Sequence, residues 1–204
     1  MSVTLATDDF NRADAATLGA NWTNKRNSPG VFSNQADITT TADANAAYYN
    51  AVALPDDAWC QGTVITAPAS GTAVGVGVRL GTAANPQGYY GGGDGFNSGD
   101  ANRRIWKVVT STWTSIASEA VNVAANDVIY CEAQGTTVKL FVNGVEELSV
   151  TDASLTTGRG GVYLAHGTAN VALLEDWSMG DFTDPWVPEQ DSDRKIIQGH
   201  GMRW

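Results

Sequence analysis

The sequence predicts one all-β domain, two antiparallel sheets packed face to face, followed by an extended C-terminal tail. Three observations carry this. Helical periodicity is nearly absent. Short runs in which apolar residues alternate with polar or small ones recur along residues 59–177, which is the period of a half-buried strand. The segments between them are built from Gly, Asn, Thr and Ser, the residues of tight turns.

Taken in order, the clearest runs are residues 59–66, 73–80, 104–109 and 112–117. Trp106 and Trp113 flank the turn Val109-Thr110-Ser111, which places them across one hairpin. Residues 137–142 lead into Asn143-Gly144 and then residues 145–148. Asn-Gly between strands marks a two-residue hairpin, because a type I′ turn needs positive φ at both central positions. Gln134-Gly135 supplies another tight turn, and a further hairpin is expected between residues 161–165 and 171–177. The domain is expected to span 1–182. Beyond Phe182, Pro185 and Pro188 flank Trp186-Val187 and disfavour ladder pairing. The tail 183–204 is expected to dock on another protein through Trp186, Ile196, Ile197 and Trp204, within an oligomeric assembly.

Composition bounds the function. Apolar residues make up 43% and charged residues only 17% of 204, with seven Trp and six Tyr, which is a folding composition and not a disordered one. The net charge is −10 with twelve scattered Lys and Arg, too few for the basic stripe that neutralises phosphates. Nucleic acid is therefore excluded as a partner. No run approaches the length that spans a membrane, and Asp8-Asp9 follows the opening at once, so no secretory leader is expected. Such a chain stays in the cytoplasm where it is made, or leaves by another route such as a virus particle released by lysis. Cys60 and Cys131 each sit in a strand-like run, and two readings stay open: small buried hydrophobes, or a cross-strand disulfide.

The order of these elements resembles the concanavalin A-like lectin/glucanase superfamily, nearest its laminin-G-like and 3-keto-disaccharide-hydrolase-like jelly rolls. The resemblance runs over residues 8–182. It rests on Asp9-Phe10-Asn11-Arg12-Ala13-Asp14 with Leu18-Gly19 and Asn21-Trp22, and on Gly75-Val76-Gly77-Val78-Arg79 followed by Gly88-Tyr89-Tyr90. It continues through the strand ending Asn143-Gly144, Gly158-Arg159-Gly160-Gly161 and Glu175-Asp176-Trp177. The opening block also resembles domains of bacteriophage virion proteins. The resemblance implies a two-sheet jelly roll and a function among enzymes, lectins and structural modules.

Retaining glucanases of this superfold carry carboxylates alternating on one strand, E-x-D-x-x-E, and no such strand is found here. Glu146-Glu147 and Glu175-Asp176 are adjacent pairs whose side chains point to opposite faces. His166 and His200 form no Ser-His-Asp or metal motif. The chain is therefore expected to be non-enzymatic and to need no cofactor. In the loop after Tyr90, Asp94, Asn97 and Asp100 offer hard oxygens that could chelate Ca²⁺, or merely solubilise a glycine-rich turn. Trp106, Trp113, Tyr89, Tyr90 and Phe96 are the candidates for stacking on a sugar ring. The reading that results is a structural protein of a bacteriophage virion, anchored to other virion proteins by its tail, with a lectin-like domain that adheres to host polysaccharide. A bacterial lectin module and a glycoside-cleaving enzyme are the alternatives.

Overall fold

The computed structural model describes residues 2–38, 42–69, 71–83, 86–94, 102–166 and 173–182, with the backbone alone for 42–44. The expected docking residues Trp186, Ile196, Ile197 and Trp204, and the loop residues Phe96, Asn97 and Asp100, lie outside them. Every described element is a strand. They are β1 (Ser2–Asp8), β2 (Trp22–Arg26), β3 (Pro29–Phe32), β4 (Gln35–Ile38), β5 (Ala42–Tyr49), β6 (Ala58–Val64), β7 (Ala73–Leu80) and β8 (Gly88–Asp94). There follow β9 (Asn102–Val109), β10 (Thr112–Glu119), β11 (Val128–Gln134), β12 (Thr137–Val142), β13 (Val145–Thr151), β14 (Arg159–His166) and β15 (Leu174–Phe182).

The strands pair antiparallel in two sheets, as the sequence predicts. One runs β13-β12-β11-β6-β15-β4-β3, with β1 also paired to β15; the other runs β10-β9-β8-β7-β14-β5-β2. Chain neighbours often lie in different sheets, which is the jelly-roll arrangement. Here one expectation is corrected. Residues 161–165 do not form a hairpin with 171–177: β14 pairs with β5 and β7, while β15 crosses to the other sheet and pairs with β6 and β1. The Asn143-Gly144 turn has the positive φ values its type needs, 52° and 79°.

Alternation decides what is inside. Val74, Val76 and Val78 of β7, Ile129 and Cys131 of β11, Val138 and Leu140 of β12, and Trp177 of β15 meet between the sheets. Trp177 is fully buried, donates its Nε1–H to Gly161 O at 3.2 Å and lies 4.7 Å from the Trp22 ring. Cys60 and Cys131 are direct partners across β6 and β11, fully buried, and both are free thiols, so the disulfide is not the reading realised. Burial pushes both thiols well above their ordinary range. Because the thiolate is the reactive form, the folded protein is expected to show no thiols to Ellman's reagent over an hour, and two after unfolding in guanidinium.

An aromatic face as the candidate functional site

Register arranges the outer face of the seven-stranded sheet in rows. One row reads Tyr48, Gly161, Gly77, Tyr90, Trp106, Ser115 across β5, β14, β7, β8, β9 and β10. The next reads Ala46, Tyr163, Gly75, Gly92, Arg104, Ser118. Large rings thus stand beside bare glycines, and they lean onto them. A Cβ on Gly77 would lie 2.7 Å from the Tyr90 ring, and one on Gly75 would lie 3.7 Å from the Tyr163 ring. The glycines of the Gly-Val-Gly-Val run therefore make room for aromatic side chains on one face while the valines fill the core on the other.

Four rings gather over this trough. Tyr90 stacks on Trp113 at 5.3 Å and 26°, Trp113 lies 4.7 Å from Tyr163, and Trp106 meets Trp113 edge-on at 6.2 Å. The Trp113–Tyr163 contact fixes the shape of the face. Four strand spacings separate β10 from β14, about 19 Å in a flat sheet, more than side-chain lean can close. The sheet curves toward its outer side, so this face is concave and the β9–β10 hairpin arches over it. Tyr90, Trp106 and Tyr163 are buried, whereas Trp113 is half-buried, with its indole Nε1 on the buried side. Among the described residues the indole N–H groups of Trp106 and Trp113 have no acceptor. A buried donor without a partner costs about 1–3 kcal/mol, so two at one place form a feature that a ligand oxygen would satisfy.

The polar end of the face is Asp94 and Arg104. Asp94, 2% exposed, ends β8; Arg104 Nε lies 3.9 Å from its Oδ2, with the guanidinium 5.4 Å above the Trp106 ring. Among the described residues no three His, Cys, Asp or Glu side chains gather as a metal site.

Of the sequence candidates, Tyr90, Trp106 and Trp113 come together here. Tyr89 does not, and that expectation is corrected: as the next residue along a strand it points the opposite way, into the core. Its hydroxyl donates to Asp152 Oδ1 at 2.6 Å, and burial, followed by this carboxylate, pushes its pKa up to about 12. Tyr163 and Arg104 were not among the candidates. The alternation of Gly161, Tyr163 and Ala165 was the signal available, but it does not say which face is outward.

The opening motif is structural. Asp8 accepts from Arg12 Nη1 at 2.6 Å, Arg12 Nη2 at 2.9 Å, Trp22 Nε1 at 2.7 Å and the Phe10 N–H at 2.9 Å. Arg12 in turn holds Leu18 O. The block ties β1 to β2 and touches no part of the concave face.

No family model and no curated protein matches this sequence. Solved structures do match in fold. The carbohydrate-binding module CBM66 from Bacillus subtilis aligns with a TM-score of 0.56 at 12% identity, over 79% of this chain and 93% of that one. The CBM2 module of the evolved Dit of Lactobacillus casei BL23 phage J-1 aligns with a TM-score of 0.56 at 10% identity, over 91% and 98%. A prokaryotic β-1,3-1,4-glucanase (lichenase) derived from a mouse hindgut metagenome aligns with a TM-score of 0.55 at 11% identity, over 86% and 98%. The fold is thus a concanavalin A-like jelly roll, shared by carbohydrate-binding modules and glucanases alike.

Proposed function

We propose that this chain is a non-catalytic glycan-adhesion module carried on a bacteriophage virion, and that the concave aromatic face is its glycan site. The carrying observation is the half-buried Trp113 ring edge-on to Trp106, with the indole N–H groups of both lacking an acceptor among the described residues. A pyranose presents an apolar C–H face and a rim of hydroxyls. The first suits the Trp113 ring, and the second suits the indole donors and the Asp94 carboxylate. Stacking and hydrogen bonding of this kind need no proton transfer.

The non-catalytic reading draws on the rows of the sheet. Glycoside hydrolysis uses two carboxyl groups about 5–9.5 Å apart across the bond. Around Asp94 the described outward positions are Gly92 and Tyr90 on its own strand, Ala73 and Gly75 on β7, and Asn102 and Arg104 on β9. None is a carboxylate. The virion reading draws on the phage-like opening block and on the shared architecture with the phage Dit module, 98% of which is covered by the match. The tail 183–204 is the anchoring segment in this reading, and its deletion abolishes incorporation into particles while the domain still folds.

The test is a pull-down on host polysaccharide with the supernatant assayed for reducing ends. Saturable retention without release is expected, and Trp113→Ala should weaken it about tenfold, the loss of one stacked ring and one donor. Release of reducing ends that disappears in Asp94→Asn would replace this reading by the glycosidase one.

A further inference from the structure

The opposite face of the sandwich carries a second ring cluster that the concave site does not use. On the outer side of the eight-stranded sheet, one row reads Thr4, Gly180, Trp59, Glu132, Lys139 across β1, β15, β6, β11 and β12. The next reads Ser178, Gln61, Tyr130, Phe141, Glu146. Gly180 is again bare beneath a ring: a Cβ there would lie 2.5 Å from the Trp59 indole, which lies flat over it and donates Nε1–H to Asp181 O at 3.3 Å. Tyr130 stacks beside Trp59 at 5.6 Å and 21°, and Phe141 meets Tyr130 edge-on at 5.5 Å. The three rings border a groove of about 210 Å³ whose polar wall is Ser2, Thr4 and Gln61.

We propose that this groove is a second glycan site, taking one neutral sugar ring, so that a single module holds two glycan strands on opposite faces. The chemistry selects the occupant. Among the described residues no side chain lining the groove is charged, so an ionic ligand would find no counter-charge in them. The Gln61 amide and the Ser2 and Thr4 hydroxyls face the same space as the rings, and a purely apolar occupant would strip them of water without replacement. A neutral pyranose offers both a C–H face for Trp59 and Tyr130 and hydroxyls for Gln61, Ser2 and Thr4. The volume admits one ring and not a longer buried chain.

This inference shares its ligand class with the concave site but not its residues, so the two can fail separately. The indole N–H signals make them distinguishable: Trp59 reports this groove, and Trp106 and Trp113 report the other. The full-length ¹⁵N-labelled protein is titrated with soluble neutral bacterial polysaccharides and the methyl glycosides of glucose, galactose and rhamnose. The Trp59 indole should shift saturably, and should still do so in Trp113→Ala. Gln61→Ala and Tyr130→Ala, each checked for an unchanged melting transition, should weaken that response about tenfold and leave the Trp113 signal responding as before. Wild type should also precipitate a polymeric glycan as a monomer, and Gln61→Ala should bind it without precipitation. A Trp59 signal that stays still while Trp113 moves overturns the second site and leaves the first. If both stay still, both readings fall. A Trp59 signal displaced by Trp186→Ala without added sugar gives the groove to the chain's own C-terminal segment instead.

Discussion

Replacing Arg79 by Met should destabilise the domain by about 4 kcal/mol and lower its melting temperature by on the order of 10 °C. Arg79 is 2% exposed and pairs with Asp57, whose Oδ1 lies 3.5 Å from its Nη2, but that carboxylate is partly in water, which weakens the pair. What holds the guanidinium is backbone. Nε donates to Asp56 O at 2.8 Å, Nη1 to Leu155 O at 3.0 Å and Nη2 to Gly135 O at 2.8 Å. These three carbonyls belong to three loops far apart in sequence, so one planar fork fixes the whole end of the sandwich. Met fills the volume but leaves the carbonyls without donors, each costing about 1–3 kcal/mol if it stays buried. Lys cannot repair this, because one ammonium on a flexible stem does not reproduce the fork. Arg79→Lys should therefore lose most of the same stability. A guanidinium-melt midpoint for Arg79→Lys within experimental error of wild type would refute the account.

Asp8→Ala should cost about 3 kcal/mol by a different route. Its carboxylate is a single acceptor for four donors, two of them on Arg12, and the bonds to a charged donor are the stronger kind. Truncation leaves the Trp22 indole N–H facing an emptied site beside the Trp177 and Tyr49 rings. It also releases Arg12 from the bridge to Leu18 O that closes the loop before β2. Asp8→Asn keeps one acceptor oxygen and should lose roughly half as much. Urea unfolding checks both: the midpoint should fall with the slope unchanged, since the surface exposed on unfolding is the same. Glycan retention should survive in Asp8→Ala at temperatures where it stays folded, because the block lies away from both aromatic faces.

These two residues show what was legible in the sequence. Arg79 and the Asp9–Trp22 block stood out as pattern, and the fold class followed from alternation and turn chemistry, which act locally. Asn143-Gly144 needed nothing beyond its own φ values to be read as a hairpin. Pairing between strands is different. Chain proximity suggests that residues 161–165 fold back on 171–177, but β14 is covered on both faces as an inner strand between β5 and β7, and its partners are chosen by packing across the sandwich. The site divides along the same line. Trp106 and Trp113 are visible because one short turn joins them. Tyr163 joins their cluster from a strand about fifty residues later in the sequence, which no local pattern announces. Alternation also says that Tyr89 and Tyr90 face opposite ways without saying which one enters the core.

The place of β15 as an inner strand of the eight-stranded sheet has a consequence for how the protein comes to be made. β15 is the described partner of β1 and lies beside β6, so β1 waits for a strand about 170 residues later in the sequence before its ladder can form. β14 stands in the same relation to β5 and β7. Until about residue 166 is synthesised both sheets lack an inner strand, and the eight-stranded sheet lacks β15 until about residue 182, so unpaired edges stay exposed. Loop closure across such spans is slow, and open edges invite association between nascent chains. Loss of β15 would leave β1 without its described partner and open the edge of β6 that β15 covers, so a chain lacking that strand is expected to associate rather than fold.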